Sequence, residues 1–421
     1  MSKPLTVFSR YLSLESALAV YLGIWNATVP LIIIKHGGSL DLTIYETVLA
    51  LSAIVAMPLL AARVEKMHRA SALKLGCFGI FVSGIARVIL LSNSYSLWLL
   101  TVIDVGGVCS FAAVQPLLGV YPAESVERDR VARAYRVRRV FSTIGRVAGP
   151  LVAAAALLYF VAPGVLLIAA FIGLVGLGYS MSLPRGGVIA VDRRRTVRQR
   201  IQEIVYGVRL KLALPPERFL TIVNFSLNVA TVATVPMVIP TIIRANHLPD
   251  SSAGLFNAVF AGGAVTGVLL FGRLIANGVR QRQKFIGLWV ALFVSLSSLT
   301  LMSNLVALTG ALFAAGAFIA TLSLVGVDRQ TVSIPTGGRI RLTAAALMIG
   351  QLSSSVAFVV VGTFISRFGF DSMWMLYCGI SVFVIAMSLK VKGIWHFLED
   401  TKEAESYYER THPRLVQRFF V

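Results

Sequence analysis

The sequence predicts an all-α membrane protein, with about twelve transmembrane helices in two six-helix pseudo-repeats. Three observations carry this. The 421 residues are 57% hydrophobic and only 14% charged, outside the usual balance of soluble domains, and the apolar residues gather into runs of about 18 to 25, long enough to cross the hydrocarbon layer. Basic residues cluster after every second run. The tetrapeptide Ala-Thr-Val-Pro occurs once in each half, at 27–30 and 233–236, both times in the outer part of a span that starts from the cytoplasm.

Six spans fall at 12–34, 43–62, 71–91, 97–121, 138–160 and 164–182, and six more at 219–243, 251–274, 284–302, 305–327, 342–366 and 370–390. The fifth and sixth are joined only by Val161, Ala162 and Pro163, yet two helices fit their combined length better than one. The first apolar run lacks the short core and small-residue cleavage pattern of a signal peptide. The expected organisation is an N-terminal bundle at 1–182, a basic cytoplasmic linker at 183–218, a C-terminal bundle at 219–390 and a cytoplasmic tail at 391–421. In the linker, Ile201, Ile204, Val205 and Val208 recur at helical spacing among charges, the pattern of an amphipathic helix on a membrane surface. The tail mixes acids, bases and aromatics, as a soluble helix or a partly ordered end would.

A net charge of +20 could suggest a nucleic-acid partner, but its distribution argues against one. Clusters run from Arg63 to Lys74, Arg128 to Arg139, Arg185 to Lys211, Arg280 to Lys284 and Arg329 to Arg341, whereas the alternate loops hold little beyond Lys35, Arg244 and Arg367. Positive residues mark the cytoplasmic side, which places both termini there, in a plasma or bacterial inner membrane, with some attraction to anionic lipid headgroups. Cys77, Cys109 and Cys378 lie in spans without metal-ligand spacing and read as packing residues. The five histidines, His36, His68, His247, His396 and His412, lie in loops or the tail. There is no HExxH helix, no convincing carboxylate pair and no GxxxxGK[ST] loop, and GGAVTG at 262–267 lacks the lysine. No cofactor, metal or enzymatic activity is expected.

Ionisable groups inside a span are costly and mark function or a partner. Asp104 in the fourth span admits two readings. The short hairpin SNSYS puts Arg87 of the third span at a similar depth, within reach for an ion pair; alternatively, Asp104 binds protons or a cationic substrate. Glu15 could pair with Arg146 of the fifth span or titrate. Glu46 is expected to be an exposed acid at the outer end of the second span, and Asp328 to pair with Arg329. Asn224 and Asn228 share a helix face; they and Gln351 with Ser353, Ser354 and Ser355 either bind substrate or hold helices together. Trp25 and Phe225 are a cavity wall or ordinary packing. Pro30 and Pro236 are expected to bend their spans, with Thr28 and Thr234 satisfying the freed backbone groups or facing a water-filled path.

Three local motifs add a resemblance. After the second span stands AARVEKMHRA (61–70), after the eighth GRLIANGVRQ (272–281), and in the fifth GRVAGPLVA (145–153). The first is similar to the Gly-x-x-x-Asp-Arg-x-Gly-Arg-Arg loop of the major facilitator superfamily, with Glu65 for the acid, Lys66 for the first arginine and Arg69 for a later one, although Ala61 and His68 replace glycines. The second keeps Gly272 and Arg280 but not the acid. In the third, Gly145, Gly149 and Pro150 match the Gly-x-x-x-Gly-Pro pattern that this superfamily associates with many exporters. The family commonly carries an arginine near position 104, so Asp104 is a departure. The resemblance implies two bundles rocking around a central cavity lined chiefly by spans 1, 4, 7 and 10, with Glu65, Lys66 and Arg69 forming a cytoplasmic latch toward Glu124. It further implies a monomeric secondary transporter working by alternating access. Proton-coupled efflux (antiport) of a small organic or amphipathic molecule is expected, with Asp104 or Glu15 carrying the proton; an importer, a lipid flippase and a non-transporting receptor are the alternatives.

Overall fold

A computed structural model describes residues 4–64, 67–125, 131–184, 197–271, 280–325, 336–391, 393–399 and 407–411. All regular structure among them is helical. The first half contains α1 (Pro4–His36), α2 (Gly38–Val64), α3 (Arg69–Asn93), α4 (Leu97–Ser125), α5 (Val131–Leu157) and α6 (Ala162–Met181). A linker helix, α7 (Val197–Ala213), precedes α8 (Pro215–Thr231), α9 (Val238–Ala245), α10 (Ser251–Thr266), α11 (Gln281–Leu301), α12 (Leu305–Leu322), α13 (Thr336–Phe368) and α14 (Met373–Lys390). Two short tail helices follow, α15 (Gly393–Glu399) and α16 (Tyr407–Thr411). Eleven stretches are long and apolar enough to cross a membrane, and the fifth span is covered by the shorter apolar segment Ile144–Leu157 of α5. Each of the twelve expected spans thus has its helix, and the chain is a multi-pass membrane protein.

The two Ala-Thr-Val-Pro copies behave differently. α1 runs through Pro30 without a break, because one proline costs one rung of the ladder and the turns on either side remain apolar and buried. The seventh span breaks instead: α8 ends at Thr231, a 3₁₀ turn covers Val232–Thr234, and α9 begins at Val238. Pro240 stands one turn after Pro236, so two successive rungs lack their N–H donors. The Thr241 hydroxyl and amide both donate to the Met237 carbonyl, at 2.7 and 3.1 Å, and restart the helix. Thr28 and Thr234 are fully buried, and neither hydroxyl has a hydrogen-bond partner among the described residues.

The chain divides into two compact units, Met1–Val197 with Val235–Ala258, and Arg198–Thr234 with Val259–Val421. The second crossover, between Thr234 and Val235, coincides with the break in the seventh span. In the first unit α1 packs on α5 and α6, α3 on α4 and α6, and α2 on α4. The α1–α5 contact uses the small residues noted above. A Cβ on Gly149 would lie 2.6 Å from the Val20 carbonyl oxygen and 2.8 Å from Gly23 Cα, and one on Gly145 would lie 2.7 Å from Ala19 Cβ. A Cβ on Gly23 would lie 2.6 Å from Pro150 Cδ. The motif is therefore a close helix crossing, held by dispersion where backbones approach.

In the second unit α8 packs on α13 and α14, and α11 on α12 and α14. The linker forms its helix as expected, but the face read as membrane-binding is only partly accounted for: Val205 is exposed and Val208 partly buried, while the Ile201 and Ile204 side chains lie outside the described residues. What the helix buries is its C-terminal end. Leu210 and Leu214 pack with Leu342 and Tyr408, Lys211 pairs with buried Glu217 at 2.8 Å, and the Tyr408 hydroxyl donates to Glu217 at 3.2 Å. The tail is thereby docked on the second unit. Trp395 packs edge-on against Phe219 and donates its indole N–H to the Ser388 carbonyl at 3.1 Å.

Candidate functional site

The centre of the first unit's membrane-embedded charge is a buried cluster drawn from four helices. α3 supplies Arg87, α4 supplies Asp104, α2 supplies Tyr45, and α1 supplies Tyr21 and Trp25. Arg87 Nε donates to Asp104 Oδ1 at 2.7 Å, its Nη2 donates to the same oxygen, and the Tyr45 hydroxyl donates to Oδ2. Arg87 Nη1 lies 3.4 Å from the Tyr21 hydroxyl, and the guanidinium sits 5.2 Å from the Trp25 ring centroid. Arg87 is 1% exposed and Asp104 0%. Both lie about 10 Å in from the helix ends at the α3–α4 turn, at 1.5 Å per residue, the depth match that the hairpin between them predicts. Every oxygen of Asp104 is engaged and its charge is balanced by the arginine, an arrangement that a low-dielectric interior tolerates.

Glu46 departs from expectation. Because α2 begins at Gly38, this acid is about two turns inside the helix, partly buried and beside Tyr45, not an exposed terminal residue. The Asp104 carboxylate lies near enough to act on it electrostatically. Glu46 makes no hydrogen bond or ion pair there. Two carboxylates therefore share one neighbourhood with a single guanidinium, and that guanidinium is committed to Asp104.

Glu15 is also paired, but not with Arg146. Arg138 Nε donates to both carboxylate oxygens at 2.9 Å, and the Tyr11 hydroxyl lies 2.6 Å from Oε2 and 2.7 Å from the Leu118 carbonyl. The reason is helical phase. Arg138, Gly145 and Gly149 are spaced seven and four residues apart and share the α5 face turned to α1. Arg146 is off that stripe and exposed.

At the α1–α2 end of this unit Lys35 pairs with Asp250 at 2.6 Å, and Arg244 donates to the Ile34 carbonyl at 2.8 Å. His36 stacks on Tyr95 with ring centroids 4.5 Å apart. Burial and the nearby Asp41 carboxylate raise the Tyr95 phenol above its ordinary range, so it stays neutral.

In the second unit the two asparagines separate. Asn228 donates to Ser353 Oγ at 2.8 Å and ties α8 to α13, whereas Asn224 is exposed. Ser354 and Ser355 bond back to carbonyls of their own helix. Phe225 lines an apolar cavity of about 910 Å³ with Phe364, Met375, Ile380 and Phe383. The expected cytoplasmic latch cannot be placed: Glu65 and Lys66, and the side chains of Arg69 and Glu124, lie outside the described residues, as does Asp328. Among the described residues no group of three His, Cys, Asp or Glu side chains could hold a metal.

No protein-family model matches the sequence, and no curated protein matches it. Solved structures do. The nucleoside transporter NupG aligns over 92% of this chain and 100% of its own, with a TM-score of 0.71 at 12% identity. A bacterial homologue of the human lysosomal transporter Spinster covers 100% and 98%, with 0.67 at 14%. A D-xylose–proton symporter covers 92% and 96%, with 0.64 at 13%. Identities this low speak to architecture alone, and that architecture is plain: the chain has the twelve-helix, two-repeat fold of major facilitator transporters.

Proposed function

We propose that the protein is a secondary active transporter that exports a small organic or amphipathic molecule in exchange for protons. The observation that carries this reading is the charge cluster buried in the first unit. A charged group at this depth is retained only with a partner or a task. Arg87 and Asp104 have each other, and Glu46 is left over. In the proposed cycle Asp104 stays with Arg87 as the fixed, charge-balanced wall of the site. Glu46 takes a proton from outside and releases it inside, as the two units alternate access. Two carboxylates beside one guanidinium carry a net negative charge when both are ionised, and one proton removes it. Export in preference to import is supported by the glycine–proline motif of α5, which packs on α1 as a close crossing.

The test compares metabolites of cells and medium with the protein present, absent, or carrying Glu46→Gln or Asp104→Asn. A compound retained in the deletion strain and the Glu46→Gln strain, and released by the parent, identifies substrate and direction together. Depletion from the medium that depends on the intact protein would make it an importer. No difference in any soluble compound would overturn small-molecule transport in favour of lipid movement or reception.

A further inference from the structure

Arg146 is the cation that the helix phases leave over. It lies about 16 Å from the outer end of α5 at 1.5 Å per residue, near the middle of a hydrocarbon layer about 30 Å thick. It is exposed, and no side chain or backbone group among the described residues pairs with it. An arginine at this depth does not face lipid tails without compensation, and its position on the helix shows that it does not. The exposed apolar residues of α5, Phe141, Ile144, Leu151, Val152 and Ala155, form one stripe. At about 100° per residue Arg146 points about 180° from that stripe. The α1-facing stripe of Arg138, Gly145 and Gly149 lies between the two.

α1 shows the complementary pattern. Its contacts with α5 run through Ser16, Ala19, Val20 and Gly23, and those with the glycines of α6 through Leu14, Ala17, Leu18 and Tyr21. Asn26 falls outside both sets, is exposed, and lies about 15 Å from the outer end of α1. Because α1 and α5 run in the same direction, the phase of Asn26 relative to the α1–α5 contact places it on the same side of the pair as Arg146. A guanidinium and a carboxamide at one depth thus open onto one polar face, away from lipid.

From this geometry we infer that Arg146, with Asn26, is a substrate subsite for an anionic group, a carboxylate, sulfonate or phosphate. A guanidinium presents a planar set of donors that matches two oxygens of such a group, and Asn26 adds a donor or acceptor for a neighbouring polar atom. The inference rests on the transport reading above and narrows it: the exported molecules carry negative charge. Glu15, the one carboxylate near this face of α1 among the described residues, is consumed by Arg138 and Tyr11, so it does not neutralise Arg146.

The test uses two probes of matched size and opposite charge, benzenesulfonate and phenyltrimethylammonium, titrated calorimetrically into the full-length detergent-purified protein. The expected result is that the anion binds and the cation does not. Arg146→Gln should weaken anion binding at least tenfold, while Arg146→Lys should retain part of it. Both variants are checked for a monodisperse elution profile, and if Arg146→Gln does not fold, Asn26→Leu supplies the second arm with an expected loss of several-fold. Cation binding stronger than anion binding, or anion binding untouched by Arg146→Gln and Asn26→Leu, overturns the anion subsite. Arg146-dependent anion binding without any transported metabolite would leave the subsite standing and refute transport.

Discussion

The first and seventh spans carry the same tetrapeptide and make different things of it. Around Pro30 the helix continues; around Pro236 it gives way to a 3₁₀ turn, and the assignment of the chain to its compact unit changes at the same place. The difference lies one turn further on, where Pro240 stands in the second copy and Ile34 in the first. A wider asymmetry goes with it. Charged residues inside the spans, Glu15, Glu46, Arg87, Asp104, Arg138 and Arg146, all belong to the first half, and those of the second half sit near helix ends. Repeats that share a fold thus differ: the first half holds the buried charges, and the second supplies the discontinuous helix.

The largest effect should come from unbalancing the charge cluster. Asp104→Ala leaves Arg87 buried without its partner and should cost about 3–5 kcal/mol, read as lost stability of the purified protein in a denaturant series. The double variant Arg87→Met with Asp104→Leu should recover most of it; a double variant as unstable as the single one would mean that the pair is not the frame of the first half. Next comes the glycine crossing. Gly23→Ala pushes a methyl group to within 2.6 Å of Pro150 Cδ and should cost about 1–3 kcal/mol by overpacking. Gly178→Ala, which meets nothing within 4 Å, should be neutral or gain up to about 1 kcal/mol in helix propensity.

The proline comparison follows. Replacing Pro236 and Pro240 together with alanine should let the seventh span close into one helix. Each replacement lifts a penalty of up to about 3 kcal/mol, so hydrogen exchange across 232–241 should slow by about tenfold or more, and transport should slow with it. Pro30→Ala should leave exchange across 26–34 nearly unchanged, and equal responses in the two spans would erase the distinction drawn here. The smallest effect belongs to Lys35 and Asp250, whose side chains are 48% and 36% exposed. A pair this open contributes at most about 1 kcal/mol, and Lys35→Ala should shift the unfolding midpoint little, less still in high salt.

Much of the fold was legible because membrane crossing imposes a length and the cytoplasm imposes a charge, and both are local properties of the chain. Arg87 and Asp104 could be matched for the same reason: a short hairpin sets their depths from one turn. Where the reading failed, phase or distance decided. Glu15 met Arg138 and not Arg146 because α5 presents a stripe of small residues to α1, and only Arg138 shares it. Glu46 reads as terminal from an apolar run that starts at residue 43, whereas the helix begins at Gly38. The hydrogen bond from Tyr408 to Glu217 joins residues 191 apart in sequence, and no local pattern announces such a contact. The break at Pro236 was foreshadowed, but its absence at Pro30 turns on a neighbour four residues away.

One measurement bears on everything above: uptake of the identified compound into proteoliposomes with an imposed pH gradient. A proton-exchanging exporter should accumulate the compound above its outside concentration when the vesicle interior is acid, lose that accumulation when a protonophore collapses the gradient, and show neither with Glu46→Gln. Accumulation with the interior alkaline, or simple equilibration indifferent to the gradient, would contradict proton exchange and leave Glu46 a partly buried acid without a role.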